Sequence, residues 1–253
     1  MTEFAAAVFA SFAAAVVNAI AGGGGLVSIP ILFGVFPHAA PATLFGTNKS
    51  AMVWGTLWAS VSYARHVRLP WATLLPAIGA ALAGGCLGAW LVSQVSGAWL
   101  RQALPVMLAV VLVATLLEQE FGRHHAPRHG ARAEALWATL IAAGLGIYDG
   151  FFGPGTGSFL IFLFVRVLGF DFLHAAASAK VLNTATNLAS LSVFAWSGHV
   201  WWQFMIPMAV ANVLGSMVGT RLALRHGSGF IRVVFAAVVG ILVLKAGYDA
   251  YLR

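Results

Sequence analysis

Asn18-Ala-Ile-Ala-Gly-Gly-Gly-Gly25 interrupts the first apolar run of the chain, and Asp149-Gly-Phe-Phe-Gly-Pro-Gly-Thr-Gly157 interrupts a later one. Clustered glycines break a helix, because glycine is permissive in backbone angle and brings no side chain. At membrane depth such unwound backbone is tolerated only where protein or a water-filled path covers it. A helix restarting just after the break aims free N–H groups and a positive dipole end at the gap. Leu26 and Gly157 are the expected starts of these half-helices. Neither break is a nucleotide phosphate loop, since no Gly-Lys-Ser/Thr follows the glycines.

The two breaks belong to an internal repeat. An offset of 131 positions carries Gly22 onto Gly153 and Gly24 onto Gly155 without gaps. The same offset carries Lys49 onto Lys180, Trp71 onto Trp202, Pro76 onto Pro207, Gly84 onto Gly215, Gly88 onto Gly219 and Arg101 onto Arg232. Shared glycine alone would mean little. Two of the chain's three lysines coinciding, together with Pro, Trp and Arg, is hard to obtain by chance. Weak internal symmetry of this kind recurs in secondary transporters.

Working outward, each half reads as four hydrophobic elements, about eight in total. They are a glycine-broken pair (4–36 and 135–168), a helix through the lysine (40–64 and 172–196), a third span (71–93 and 202–224) and a fourth (100–118 and 231–250). The expected organisation is a first transmembrane repeat over 1–118, a polar linker over 119–133 and a second repeat over 134–253. Composition agrees: 60% of the 253 residues are hydrophobic and 8% are charged, against roughly 25% charged in soluble domains. A crossing helix needs ~20 mostly apolar residues, and several runs supply them. Runs such as Met107-Leu108-Ala109-Val110-Val111-Leu112-Val113 do not alternate, which excludes a transmembrane barrel. The fold class is therefore all-α integral membrane, and Met1-Thr2-Glu3-Phe4 lacks the basic start of a cleaved signal.

Arginine placement chooses between topologies. If every element crosses once, Arg65, Arg68, Arg123, Arg128, Arg132 and Arg253 oppose Arg101, Arg166, Arg221, Arg225 and Arg232, and neither side wins. If each glycine-broken element returns to its own side, Arg65, Arg68, Arg123, Arg128, Arg132, Arg166, Arg221, Arg225 and Arg232 share one side. Only Arg101 and Arg253 then oppose them. That asymmetry favours inverted repeats with both termini outside, the broken elements being re-entrant or crossing twice, since both give the same bookkeeping. The net charge of +7 reads mainly as such loop arginines, with a positive field for an anion as the sharper alternative. The scatter of arginines among apolar spans argues against nucleic acid as a partner.

Lys49 and Lys180 carry the strongest single-residue signals. They sit in Gly46-Thr-Asn-Lys-Ser50 and Ala177-Ser-Ala-Lys-Val181, each leading into an apolar helix. A charge at bilayer depth costs ~2.5–3.5 kcal/mol on insertion scales, so it is not idle there. Snorkelling to the interface is the bland alternative. Against it, Lys180, Asn183, Asn187 and Ser190 fall on one helix face, with Lys49, Thr56 and Ser60 as a thinner version. A lysine-headed stripe of amides and hydroxyls suits an oxyanion. The candidate substrate-binding residues are Gly22, Gly23, Gly24, Gly25, Asn48, Lys49, Gly153, Gly155, Thr156, Gly157, Lys180, Asn183 and Asn187. Asp149 stands where the first half has Asn18, and is the one carboxylate nominated for coupling or as a lysine counter-charge. A carboxylate satisfied by local N–H groups is the competing reading.

Other groups carry less. Asp171 follows Gly169-Phe170 and reads as a helix N-cap. His124, His125 and His129 cluster in the linker and read as a solvated loop rather than a metal site. Cys86 reads as a small packing residue. No cofactor is expected, and the spans show no paired acids, HExxH or Ser/His/Asp set of an enzyme. The expected partners are a small anionic substrate and the lipid bilayer, with a homo-oligomer left open. A metal or cation permease is the alternative within transport, and a non-transport membrane protein lies beyond it.

The local strings also resemble a known family. Asn18-Ala-Ile-Ala-Gly-Gly-Gly-Gly-Leu-Val-Ser-Ile-Pro30 followed by Phe45-Gly-Thr-Asn-Lys49 is similar to the first-half signature of the TauE/SafE family of sulfite and organosulfur exporters. Asp149 to Gly157 followed by Ala177-Ser-Ala-Lys-Val-Leu-Asn183 and Asn187 looks like its second-half signature. The resemblance spans nearly the whole chain with the motifs in order. It implies a multi-pass plasma-membrane permease of duplicated four-segment halves that exports sulfite, sulfoacetate or related sulfur anions. It also implies that Gly22 to Gly25, Asn48, Lys49, Asp149, Gly153 to Gly157, Lys180, Asn183 and Asn187 are the residues that matter.

Overall fold

The structure, a computed structural model, describes residues 2–100, 106 and 130–251, with side chains described to 226 and at Val233. Eight helices are labelled here. They are α1 (Thr2–Ala21), α2 (Gly24–Val35), α3 (Pro41–His66), α4 (Trp71–Ser93), α5 (Ala131–Phe151), α6 (Thr156–Leu163, continuing as a π-helical turn Phe164–Leu168), α7 (Phe172–Trp196) and α8 (Trp202–Tyr251). The described residues contain no strand. Among them, Thr2–Ala21, Trp71–Ser93 and Trp202–His226 are long and apolar enough to cross a membrane. α3 and α7 are as long, but their polar stripes lower their hydropathy. α2 has 12 residues and spans about 18 Å, roughly half the hydrocarbon thickness. It cannot cross, and it turns back against α1.

Close glycine packing fixes how the helices run. Gly84 lies against Ala143 and Ile147, and Gly88 against Ile147 and Phe151, so α4 and α5 run side by side in one direction. Gly215 lies against Phe12 and Ala15, and Gly219 against Val16 and Ala19, so α8 and α1 do the same. The second set reproduces the first at the 131-residue offset, Gly84 with Gly215 and Ile147 with Val16. A methyl group on Gly88 would sit 2.7 Å from the Phe151 nitrogen. Small residues at such crossings let backbones approach where lipid offers no hydrophobic drive. Gly88→Val is therefore expected to cost about 1–3 kcal/mol by overpacking. A lowered melting temperature of the detergent-solubilised protein would register it.

α3 and α7 cross at the centre in opposite directions. Gly46 lies against Phe194 at one end, and Ser60 Oγ and Thr184 Oγ1 are 2.8 Å apart toward the other. One face of the molecule therefore carries the ends at Thr2, Pro41, Ser93 and Trp196. The opposite face carries the ends at His66, Trp71, Ala131, Leu168 and Phe172. Arg65, Arg68, Arg132, Arg166, Arg221 and Arg225, the arginines with described side chains, all lie toward this second face. Around the waist, Phe9, Leu75, Trp90, Leu140, Ile206 and Val210 are exposed, as lipid contact requires.

Element boundaries follow the sequence reading closely at the centre and depart from it at the ends. The restarts fall at Gly24 and Thr156 rather than Leu26 and Gly157, each directly after a glycine N-cap, Gly23 and Gly155, the latter in the left-handed region at φ +84°. The two elements expected at 202–224 and 231–250 run on as one helix to Tyr251. Gly227-Ser228-Gly229 weakens a helix but holds no proline to end it. The fourth element of the first half, most of the linker and its His124, His125 and His129 lie outside the described residues. Asp171 is the N-cap of α7, accepting from the Leu173 and His174 amides at 2.8 and 2.9 Å. Cys86, expected as a packing residue, is exposed on the outer face.

Candidate functional site

The two glycine breaks meet in the interior. Gly22 adopts φ +82°, and a methyl group there would lie 2.5 Å from the Ser158 nitrogen and overlap the Gly157 carbonyl carbon. Gly25 faces Pro154 in the same way. Side chains tie the freed backbone down. Ser158 Oγ donates to the Ala21 carbonyl at 2.9 Å, Tyr63 Oη to Ala19 at 2.9 Å, and Tyr148 Oη to Pro154 at 2.6 Å. Within the second break, Thr156 Oγ1 donates to the Gly153 carbonyl at 2.9 Å. Carbonyls at a broken helix end need such partners when neither water nor helix supplies them.

Beside the touching breaks lies a small polar cavity. Its lining includes Asn18, Gly22 and Gly25 from the first half of the broken region, Asn48, Lys49 and Met52 from α3, and Asp149 with Gly153 from the second break. Asn183 and Asn187 of α7 close it, with Ile29, Phe45, Phe152 and Pro154 as the apolar remainder. A water-sized sphere finds about 10 Å³ for its centre, room for roughly one water molecule.

Lys49 is buried, and its Nζ donates to Asp149 Oδ2 at 2.5 Å. A charged pair this deep survives only because each ion is the other's partner. Helix geometry explains the meeting. Lys49 sits eight residues into α3 from Pro41, and Asp149 sits near the C-terminal end of α5, where the second break begins. The lysine nitrogen also lies over that break, within 3.3 Å of where a methyl group on Gly153 would stand. Asn48 Nδ2 contacts Met52 Sδ at 3.1 Å, and Asn187 Nδ2 donates to Asn183 Oδ1 at 2.8 Å.

Several buried polar atoms have no hydrogen-bond partner among the described residues. Asn18 Oδ1 and Asn187 Oδ1 are in the cavity lining, and Lys180 Nζ is fully buried on α7. Buried polar atoms are usually paired, so an orphan beside a cavity points to a ligand or to bound water. Lys180, Asn183, Asn187 and Ser190 all face inward, as the periodicity of α7 requires. Lys49, Thr56 and Ser60 do likewise on α3.

The structure thus gathers Gly22, Gly25, Asn48, Lys49, Asp149, Gly153, Asn183 and Asn187 around one cavity. Gly23, Gly24, Gly155, Thr156, Gly157 and Lys180 do not line it. The breaks press against each other, so the gap expected between two helix N-termini is filled by backbone. The space lies to one side, at Lys49. Asn18 belongs to the lining although only its repeat equivalence to Asp149 had drawn attention to it. Phe45, Phe152, Met52 and Ile29 carry no chemical signature in the sequence, and only packing reveals them. Among the described residues no three His, Cys, Asp or Glu side chains are grouped to hold a metal ion.

Comparison with known proteins agrees with this architecture. Residues 7–246 match the family described as "Sulfite exporter TauE/SafE". "Probable membrane transporter protein YfcA" of Escherichia coli strain K12 is 34% identical over 244 residues, covering 96% of this chain and 89% of that one. A "Probable membrane transporter protein" of Haemophilus influenzae is 33% identical over 242 residues, covering 94% and 92%. "Probable membrane transporter protein ORF9" of a Sinorhizobium species is 33% identical over 236 residues, covering 93% and 89%. No solved structure matches the chain. With a buried charge pair beside two broken helices, lipid-facing apolar helices around them and a family match over nearly its whole length, this chain is a multi-pass membrane transporter of the TauE/SafE family.

Proposed function

We propose that the chain is a permease for a small sulfur oxyanion, sulfite or an organosulfonate such as sulfoacetate, working by alternating access. The observation that carries this reading is a charge imbalance in the buried centre: among the described residues, Lys49 and Lys180 are both buried there, against the single carboxylate of Asp149. One positive charge is left over, in a region where an unpaired charge is costly. A bound anion supplies the missing partner, and the amides of Asn18, Asn48, Asn183 and Asn187 supply neutral hydrogen bonds to its oxygens. A cation permease would need a free carboxylate in the cavity, and the one carboxylate there is taken by Lys49.

Inverted repeats provide the moving parts in this reading. The recurrence of the α4–α5 crossing in α8–α1, and the antiparallel meeting of α3 with α7, support two halves related by a two-fold axis in the membrane plane. The arginine-rich face is then cytoplasmic and the face holding Thr2 external. A cavity with room for one water belongs to a closed stage, and rocking of the halves opens it to either side.

Counterflow in proteoliposomes tests the proposal. Labelled sulfite or sulfoacetate is expected to accumulate against unlabelled anion inside, and Lys180→Gln is expected to reduce the rate at least tenfold. Wild-type vesicles that exchange neither sulfite, sulfoacetate, sulfate nor thiosulfate would sink it.

A further inference from the structure

We propose that Asp149 is the binding site of a coupled proton, and that an anion reaches Lys49 only as Asp149 takes that proton. The inference rests on the anion reading above and adds its coupling. Lys49 Nζ is held by the Asp149 carboxylate at 2.5 Å, inside a cavity with room for about one water. Anion oxygens cannot be added to that ammonium; they must replace the carboxylate that already occupies it. The exchange is a competition between two negative groups for one positive group.

Charge conservation sets the outcome. Before exchange, the buried ammonium groups of Lys49 and Lys180 and the Asp149 carboxylate sum to one positive charge. If a dianion such as sulfite or sulfoacetate displaces an ionised Asp149, the buried centre holds one uncompensated negative charge. If Asp149 is protonated instead, the two ammonium groups, the carboxylic acid and the dianion sum to zero. The protonated group is also a hydrogen-bond donor, so it can remain in the site as a neutral lining residue. The other half displays this neutral state permanently, since the position equivalent to Asp149 is Asn18, an amide of the same shape. Each cycle therefore moves one proton with one dianion, in whichever direction the gradients dictate.

Among the described residues, no other group offers the proton a place in this cavity. Lys49 reaches Asp149 from α3, and Asn18, Asn183 and Asn187 face the space from α1 and α7. Tyr148, beside Asp149 on α5, gives its hydroxyl to Pro154. α4, packed along α5, carries Cys86 as its one titratable side chain, and that residue is exposed. Arg166 on the π-helical turn after α6, and His174 and Lys180 on α7, do not line the cavity. Neither α4, α6 with its π turn, nor α7 holds a second carboxylate.

The test measures anion affinity of the full chain in detergent between pH 5.5 and 8.5, with sulfite, sulfate and methanesulfonate as probes. One proton taken up per dianion makes wild-type affinity for sulfate fall about tenfold for each unit rise in pH. Asp149→Asn has no proton to bind, and its slope is expected to be flatter by about one decade per unit. Comparison at fixed probe cancels the ionisation of sulfite itself. Should the variant not fold, wild-type protein in weak buffer decides. Uptake of about one proton per bound sulfate supports the proposal, and uptake of none overturns it. Equal slopes in wild type and variant also overturn it while leaving the anion reading intact. Failure of wild type to bind any of the three probes at any pH sinks the anion reading, and the coupling with it.

Discussion

Lys49→Ala is expected to abolish transport and to destabilise the protein, and the two losses separate in the double variant. Alanine removes the one partner that Asp149 has within the cavity and leaves a carboxylate buried with no cation beside it. Breaking a buried pair from one side costs about 3–5 kcal/mol, because the remaining charge has lost its counter-ion. Removing both partners leaves no charge to strand, so Lys49→Ala with Asp149→Ala should recover most of the melting temperature. Transport should stay at least a hundredfold down in both, since neither retains the ammonium. A double variant as unstable as the single one would mean that the pair is not the source of the loss. Melting curves in detergent, with counterflow alongside, read both losses out.

Gly22→Ala should be the most damaging substitution of a single hydrogen by a methyl group. Two independent penalties act there. At φ +82° an L side chain costs about 1–2 kcal/mol. The new methyl would also stand 2.5 Å from the Ser158 backbone nitrogen, and backbone cannot step aside as a flexible side chain can. Overpacking of this kind adds about 1–3 kcal/mol, and here it drives the two breaks apart. Gly34 is the matched control. It lies in the same broken region on α2, and a methyl group there would meet nothing within 4 Å. Gly34→Ala should therefore be neutral or stabilising by about 0.5–1 kcal/mol through helix propensity. Equal melting temperatures for Gly22→Ala and Gly34→Ala would show that the breaks do not touch.

Both predictions concern contacts between the halves, and this is where sequence reading ran out. The four-glycine run, the recurrence at 131 positions and the lysine-headed stripe of α7 are local patterns. Each has a local physical cause: glycine ends a helix, a helical period puts Lys180, Asn183, Asn187 and Ser190 on one face, and lipid demands apolar outer positions. Such causes act through neighbours along the chain, so a reader of residues can recover them. The same holds for Asp171, whose capping role needs only the two amides that follow it.

The residues of the cavity are different in kind. Asp149 is 100 positions from Lys49, and nothing along the chain says whether it will face that lysine, the other lysine or its own helix end. Equivalence within the repeat made Lys49 and Lys180 look alike. The fold makes them unlike, since one has a carboxylate and the other has no partner among the described residues. That difference comes from the exchange of Asn18 for Asp149 in one half, read through the antiparallel meeting of α3 and α7. The family, the membrane setting and the broken helices follow from the amino-acid order, because backbone geometry and solvation are local. The identity of the group that neutralises each buried charge was decided by tertiary packing alone, because electrostatic partnership depends on distance in space.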